Sequence, residues 1–179
     1  EEIVGRRARE SEVPIVYVNL VGGQDELVFD GESFVVDRTG RVTQRAPAFT
    51  EGVYVARFEM DGAPAPLAAP ASAPLVLEES AYRAIVLGVR DYIDKNGFKG
   101  VVLGLSGGID SALTAAIAVD ALGAGRVEAV MMPSRYTAAM SLEDARAIAR
   151  ALGIVYHEIS IEPMFQAFLD GLRDEFAGL

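Results

Sequence analysis

Ser106-Gly107-Gly108-Ile109-Asp110-Ser111 combines residue types that suit the binding of a phosphorylated ligand. Gly107 and Gly108 remove the side chains that keep an anion away from the backbone, and the free amides at the start of a following helix point toward it. An oxyanion site follows. Asp110 adds a second requirement, because a carboxylate beside a bound triphosphate is repulsive unless a divalent cation lies between them. That spacing suggests Mg²⁺ held jointly by Asp110 and phosphate oxygens. The competing reading is structural: Asp110 or Ser111 caps the helix. The loop is not a nucleoside-triphosphatase P-loop, since no Gly-Lys-Ser/Thr follows, and it lacks the Gly-x-Gly-x-x-Gly spacing of a dinucleotide site.

Such a loop needs a strand before it and a helix after it. Val101-Val102-Leu103-Gly104-Leu105 is too short for a helix and apolar apart from one glycine, which predicts a buried parallel strand. Residues 111–122 are apolar nearly all round, as in a helix packed on a sheet and covered on its other side, and Gly123 ends it. A strand is predicted over 127–132, a helix over 142–152 started by Ser141 and Asp144, a strand over 154–161 and a final helix from about Met164. Upstream, Tyr82, Ile85, Val86, Val89 and Ile93 share one helical face that stops at Asn96-Gly97. The alternation of helices and strands specifies a doubly wound parallel sheet, with ligands expected at the carboxyl ends of its strands.

Residues 62–74 hold four prolines and no charge, a composition that stays extended. We read them as a linker. Before it the pattern is short strands: 14–21 is β-branched and aromatic, 26–37 alternates around an Asp30-Gly31 turn, Thr39-Gly40 marks another turn, and 53–60 alternates again. Sixty residues of this kind bury too little surface to fold confidently alone.

Composition narrows the function classes. The chain has 179 residues, 16 basic against 26 acidic, for a net charge of −10. Both sides of the linker are acidic, so nucleic acid is not expected as a partner. The cysteine count is zero, which excludes a disulfide framework, a thiolate metal site and a cysteine nucleophile within these residues. No apolar run approaches the roughly 20 residues a membrane span needs, and no membrane partner is expected. The charged start (Glu1, Glu2, Arg6, Arg7, Arg9) is no signal peptide and carries no initiator Met, which suggests a sequence beginning inside a longer protein.

Other residues leave alternatives open. Arg135, past the second predicted strand, faces phosphate or adenine, or is a solvated loop arginine. Ser134 is equally ambiguous. His157, the single histidine, falls mid-strand and is read as a packing residue rather than a catalytic one. Met131-Met132 is read as strand core.

Leu105 to Ser111 (LSGGIDS) resembles the pyrophosphate loop of the N-type ATP pyrophosphatases, which form acyl-adenylates. Met132-Pro133-Ser134-Arg135-Tyr136-Thr137 and Ile159-Ser160-Ile161-Glu162-Pro163-Met164-Phe165 resemble the synthetase domain of the glutamine-dependent NAD synthetases. Residues 17–31 (YVNLVGGQDELVFDG) resemble the last strands of that family's nitrilase-like glutaminase domain, which implies that Gly22 to Glu26 lie near its glutamine pocket; a turn with two glycines explains them as well. The resemblance implies a glutaminase end at 1–61, a linker at 62–77 and the first half of an ATP-dependent synthetase domain at 78–179. The fold implied is α/β: the last β-strands of a nitrilase-like sandwich, then an incomplete doubly wound sheet of the adenine nucleotide alpha-hydrolase type.

The implied activity is a carbon-nitrogen ligase reaction, amidation of deamido-NAD to NAD through an adenylate, with ammonia drawn from glutamine. By resemblance Gly104, Leu105, Ser106, Gly107, Gly108, Ile109, Asp110 and Ser111 bind ATP, and Asp110 also holds Mg²⁺. No glutaminase catalytic residue is expected here, since the family's Glu, Lys and Cys would lie upstream of Glu1. A Thr-Glu-Glu-Asn segment would follow Leu179, so the resemblance implies an internal portion of a cytoplasmic, homo-oligomeric enzyme. In the smaller ammonia-dependent relatives the basic residue near the second strand lies earlier, where this chain has Met131. The alternatives are another N-type ATP pyrophosphatase amidotransferase, such as one acting on XMP (GMP synthetase), or a non-catalytic nucleotide-binding remnant.

Overall fold

The structure, a computed structural model, describes residues 1–177. It divides into two compact units, Glu1–Tyr92 and the chain from Ile93 onward.

The first unit opens with a helix, α1 (Glu2–Ser11), where the sequence reading expects no element. Charged residues dominate this segment, and the apolar signal reduces to Val4 and Ala8 one turn apart, with Ala8 fully buried against Phe34 and Val36. Strands β1 (Ile15–Tyr17), β2 (Val21–Gln24), β3 (Leu27–Asp30), β4 (Phe34–Val36) and β5 (Val42–Arg45) follow. They form an antiparallel sheet in the order β1-β4-β5 and a separate β2-β3 hairpin. The hairpin therefore turns at Asp25-Glu26, not at Asp30-Gly31, with Gln24 opposite Leu27. Gly31, at φ +76°, instead leads the chain out of β3 toward the other sheet. The turn at Thr39-Gly40 lies between β4 and β5, braced by Asp37, whose Oδ1 accepts from Thr39 N, Thr39 Oγ1 and Arg41 N at 2.8, 2.6 and 3.0 Å.

The alternation over 53–60 yields only a two-residue strand, β6 (Phe58–Glu59), paired with β7 (Ala65–Pro66). Val53 is 95 % exposed, so periodicity there has no core to face. Residues 62–74 are extended but not free. Ala69 N donates to Thr43 O and Ser72 N to Arg45 O, both at 3.1 Å, and Arg45 Nη1 donates to Ser72 O at 2.8 Å. The open edge of β5 offers carbonyls, and the non-proline positions of the stretch keep the amides to meet them.

The helix predicted over 82–93 is longer, α2 (Leu77–Lys95), and ends as expected, with Gly97 at φ +71° and Phe98 N donating to Ile93 O at 3.0 Å. Within the first unit it meets the hairpin: Asp91 Oδ2 accepts from Gly23 N at 2.7 Å, and a Cβ on Gly23 would lie 3.0 Å from Gly88 Cα. Gly23 is thus a point of close helix-strand approach.

The second unit runs β8 (Val101–Gly104), α3 (Ile109–Leu122), β9 (Val127–Met131), α4 (Ala139–Leu152), β10 (Val155–Glu158) and α5 (Glu162–Leu172). Its strands are parallel in the order β10-β9-β8. Leu105, Val127 and Ala129 meet Ala115 and Ala118 of α3, Ala145 and Ala149 of α4, and Ile154 in one core. Alanines on the facing helices let α3, α4 and the sheet approach closely. Two expectations of full burial are not met among the described residues. Val102 and Val155, adjacent through β9 on the other face, are 69 % and 52 % exposed, and Leu113 of α3 is 51 % exposed. His157 is on that open face too, so it is not a packing residue; its Nε2 lies 3.4 Å from Glu128 Oε2.

Helix α4 starts at Ala139 with Ala138 as N-cap and no side-chain cap, three residues before the start predicted from Ser141 and Asp144. At its middle, Arg146 grips Glu158 of β10 through Nε to Oε1 at 2.5 Å and Nη2 to Oε2 at 2.7 Å. This hydrogen bonding holds the Glu158 carboxyl below its ordinary 4.5. Stabilisation from a depressed carboxylate is present above the unfolded value and is lost as pH falls through the folded one. Glu158→Gln should therefore flatten the acid limb of a melting-temperature profile. Parallel acid limbs for the two proteins would contradict that role.

Candidate functional site

The strand β8 delivers the chain to its carboxyl end, where Leu105 is 1 % exposed and its N donates to Val130 O at 2.9 Å. That anchor fixes the start of the loop in the core. Two hydroxyls then brace it: Ser106 N donates to Ser111 Oγ at 3.2 Å, the two Oγ atoms lie 3.1 Å apart, Gly108 N donates to Ser106 Oγ at 3.3 Å, and Ser111 Oγ donates to Gly108 O at 2.9 Å. Gly107 sits at φ +82°, and a Cβ there would lie 2.3 Å from Ser141 O. The glycine is therefore required by the backbone of α4. That requirement is separate from the expectation that a missing side chain lets an anion approach the backbone.

Helix α3 has Gly108 as N-cap with no side-chain cap, and its first internal bond is Ala112 N to Gly108 O at 3.1 Å. The amides of Ile109, Asp110 and Ser111 precede that ladder and carry the partial positive charge of a helix start. Asp110 lies in the first turn with its side chain exposed, and it does not cap the helix through a hydrogen bond. Among the described residues no three or more His, Asp or Glu side chains gather as a metal cage. An exposed carboxylate beside free helix-start amides is a donor set of the kind Mg²⁺ takes when phosphate and water complete its shell.

A cavity of about 500 Å³ is lined by Gly104, Leu105 and Ser106 together with Tyr136, Thr137 and Ser141. Met131 and Met132 also line it, so Met132 is a cavity residue more than strand core, and it is 51 % exposed. Tyr136 and Thr137 belong to a shaped turn: Ser134 N donates to Thr137 Oγ1 at 3.0 Å and Tyr136 N to Ser134 Oγ at 3.3 Å.

Arg135 is an exposed loop arginine, outside the lining of this cavity, whose side chain is held by α5. Its Nε donates to Glu162 Oε1 at 2.5 Å, its backbone N to Glu162 Oε2 at 2.8 Å and its Nη2 to Gln166 Oε1 at 2.9 Å. Its guanidinium lies 5.4 Å from the Phe165 ring centre, and Tyr136 meets the same ring edge-on at 5.8 Å. Hydrogen bonds from Arg135 hold the Glu162 carboxyl below its ordinary range. The two segments 132–137 and 159–165, separate in sequence, are thus one structural piece. The sequence assigns no role to Glu162 and only a helix-start role to Ser141; a Glu-Pro pair opening a helix is a signal for the former, while Ser141 acts through a carbonyl that no side-chain pattern reveals.

A second cavity, about 390 Å³, lies within the first unit beside Tyr17 and Phe34, whose rings stack at 5.1 Å. Glu32 on its wall has its carboxyl raised by burial and by neighbouring Asp30. Gly22 and Gly23 belong to the hairpin that α2 covers, outside this cavity.

The NAD synthase family model matches residues 81–178, and the carbon-nitrogen hydrolase model matches residues 2–64. The chain belongs to the NAD synthase family. A glutamine-dependent NAD(+) synthetase from Acinetobacter baylyi is 45 % identical over 169 residues, covering 94 % of this chain and 31 % of that protein. One from Rhodobacter capsulatus is 48 % identical over 182 residues, covering 99 % and 32 %. The solved glutamine-dependent NAD+ synthetase from Acinetobacter baumannii, in complex with adenosine diphosphate, matches 98 % of this chain and 33 % of its own at a TM-score of 0.92 and 44 % identity. The chain thus spans about a third of the length of these NAD synthase family relatives. No helix among the described residues is long and apolar enough to cross a membrane.

Proposed function

We propose that this chain serves the ATP-dependent amidation of deamido-NAD to NAD, with ammonia drawn from glutamine, as part of a cytoplasmic, homo-oligomeric enzyme. In this reading 1–61 ends a glutaminase domain, 62–77 links it and 78–179 begins the synthetase domain. The observation that carries the reading is the braced loop from Gly104 to Ser111, opening onto the start of α3 within a sequence of the NAD synthase family. The relative solved with adenosine diphosphate supports the nucleotide assignment.

The chemistry asks two things of these residues. The nicotinate carboxylate of deamido-NAD is ionised at neutral pH and attacks the α-phosphorus of ATP, so no general base is needed. Charge then builds on the departing pyrophosphate, and the amides at the start of α3 and in the loop would stabilise it. Asp110 would hold Mg²⁺, which when bound neutralises phosphate charge. Ammonia displaces AMP from the adenylate to leave the amide. The cavity beyond the loop, with methionines and Leu105 on its walls, suits an adenine ring.

The test uses the protein that carries this chain. It should bind ATP with Mg²⁺ and form NAD from deamido-NAD and ammonium, and XMP should give no product. Amidation of XMP in place of deamido-NAD would replace this reading with the GMP synthetase alternative, and ATP binding with neither product would favour a nucleotide-binding remnant.

A further inference from the structure

Arg135 and Glu162 are both on the surface, where an isolated ion pair contributes little. This pair is not isolated. One carboxylate accepts from the side chain and the backbone amide of the same arginine, Gln166 one turn further along α5 takes another guanidinium nitrogen, and Phe165 lies beneath it. Every group on the α5 side comes from its first turn and a half, and every group on the other side belongs to the turn at 134–137. The turn is also tied from below: Ile161 N donates to Pro133 O at 3.0 Å.

The position of that turn bears on the nucleotide site from two directions. Tyr136 and Thr137 form a wall of the cavity past the phosphate loop, and four residues on, Ser141 O is the atom against which Gly107 packs. We propose that Glu162 is a positioning residue for nucleotide binding: through Arg135 it holds the 134–137 turn as the outer wall of the cavity and keeps the start of α4 against the phosphate loop. The proposal rests on the nucleotide reading above and names the residue that keeps its site closed. Neither Glu162 nor Arg135 touches the nucleotide. Their effect is on the fraction of molecules whose site is assembled, and apparent affinity falls in proportion to that fraction.

The experiment is a double-mutant cycle on ATP-Mg²⁺ affinity in the protein that carries this chain, with Glu162→Gln, Arg135→Met and the double variant. Each single variant is expected to raise the KM for ATP about tenfold, as when a tenth of molecules stay competent, with kcat changed less than about twofold. The double variant should be no worse than either single one, since both open the same contact. Hydrogen exchange on the same proteins should show faster exchange at 134–138 with α3 and α4 still protected. If the unaltered protein binds no ATP, the nucleotide reading fails and this proposal with it. If the unaltered protein binds ATP and all three variants bind it within twofold of that value, the positioning role alone is overturned. Loss of protection throughout the second unit would assign the pair to stability of the fold and overturn it as well.

Discussion

Replacing Gly107 by valine is expected to abolish measurable ATP binding while glutamine hydrolysis by the protein carrying this chain persists. The cause is local backbone geometry. At φ +82° any side chain is strained, at a cost on the order of 1–3 kcal/mol, and β-branching makes it worse. The larger effect is collision, since the Cβ would stand 2.3 Å from Ser141 O and 3.0 Å from Ser141 Cα, both main-chain atoms that no rotamer change can move. Either the loop or the first turn of α4 must shift, and the bracing of Ser106 and Ser111 shifts with it. Gly108 supplies the contrast. It is at φ −83°, and its Cβ would meet only Ser106 Oγ at 3.5 Å, an ordinary contact. Gly108→Ala should therefore cost the fold no more than the loss of a favourable N-cap residue, about 1 kcal/mol, and act on the anion side of the loop. Normal ATP affinity in Gly107→Val, measured by calorimetry, would sink the assignment of the loop.

Asp110→Asn is expected to slow adenylate formation on the order of a hundredfold and to weaken its dependence on Mg²⁺, with the fold nearly unaffected. Several kcal/mol of charge stabilisation at the phosphates is at stake if this carboxylate holds the metal, and about 1.4 kcal/mol is a factor of ten in rate. The structural contribution is much smaller. The side chain is exposed, the N-cap is Gly108, and no capping hydrogen bond is lost, so the remaining effect is a carboxylate near a helix start, about 0.3–1 kcal/mol. A Mg²⁺ titration with a single-turnover adenylation assay separates the two. Unchanged adenylation with a lowered melting temperature would return Asp110 to a purely structural role.

The second unit was legible because its signals are local. A run such as Val101 to Gly104 reads as a strand by itself, and the glycines and hydroxyls of the loop appear in the order in which they are used. What escaped notice depends on tertiary neighbours. At Gly107 the local pattern shows a glycine but not what its missing Cβ makes room for, because Ser141 O arrives from a helix thirty-odd residues away through its main chain. For Arg135 the sequence leaves a phosphate-facing and a solvated role open, because Glu162 and Gln166, which hold it, lie some thirty residues along the chain. In the first unit, α1 was hidden by its charges, since its buried stripe is one alanine and one valine wide. Asp30-Gly31 carries a strong turn signal that the chain uses to leave a hairpin rather than to make one, while the pair that does make it, Asp25-Glu26, has no glycine to announce it. The alternation over 53–60 and the exposed face of β8 and β10 fail in the same way: pattern predicts a side for the core, and only the fold decides whether a core is there.

The most direct test of the account is pyrophosphate exchange. Formation of an adenylate from ATP and deamido-NAD is reversible until ammonia arrives, so the protein carrying this chain should move labelled pyrophosphate into ATP with Mg²⁺ and deamido-NAD present and with glutamine and ammonium left out. Exchange that requires deamido-NAD and disappears in Gly107→Val is the predicted result; exchange independent of deamido-NAD, or none at all in a protein that binds ATP, would contradict it.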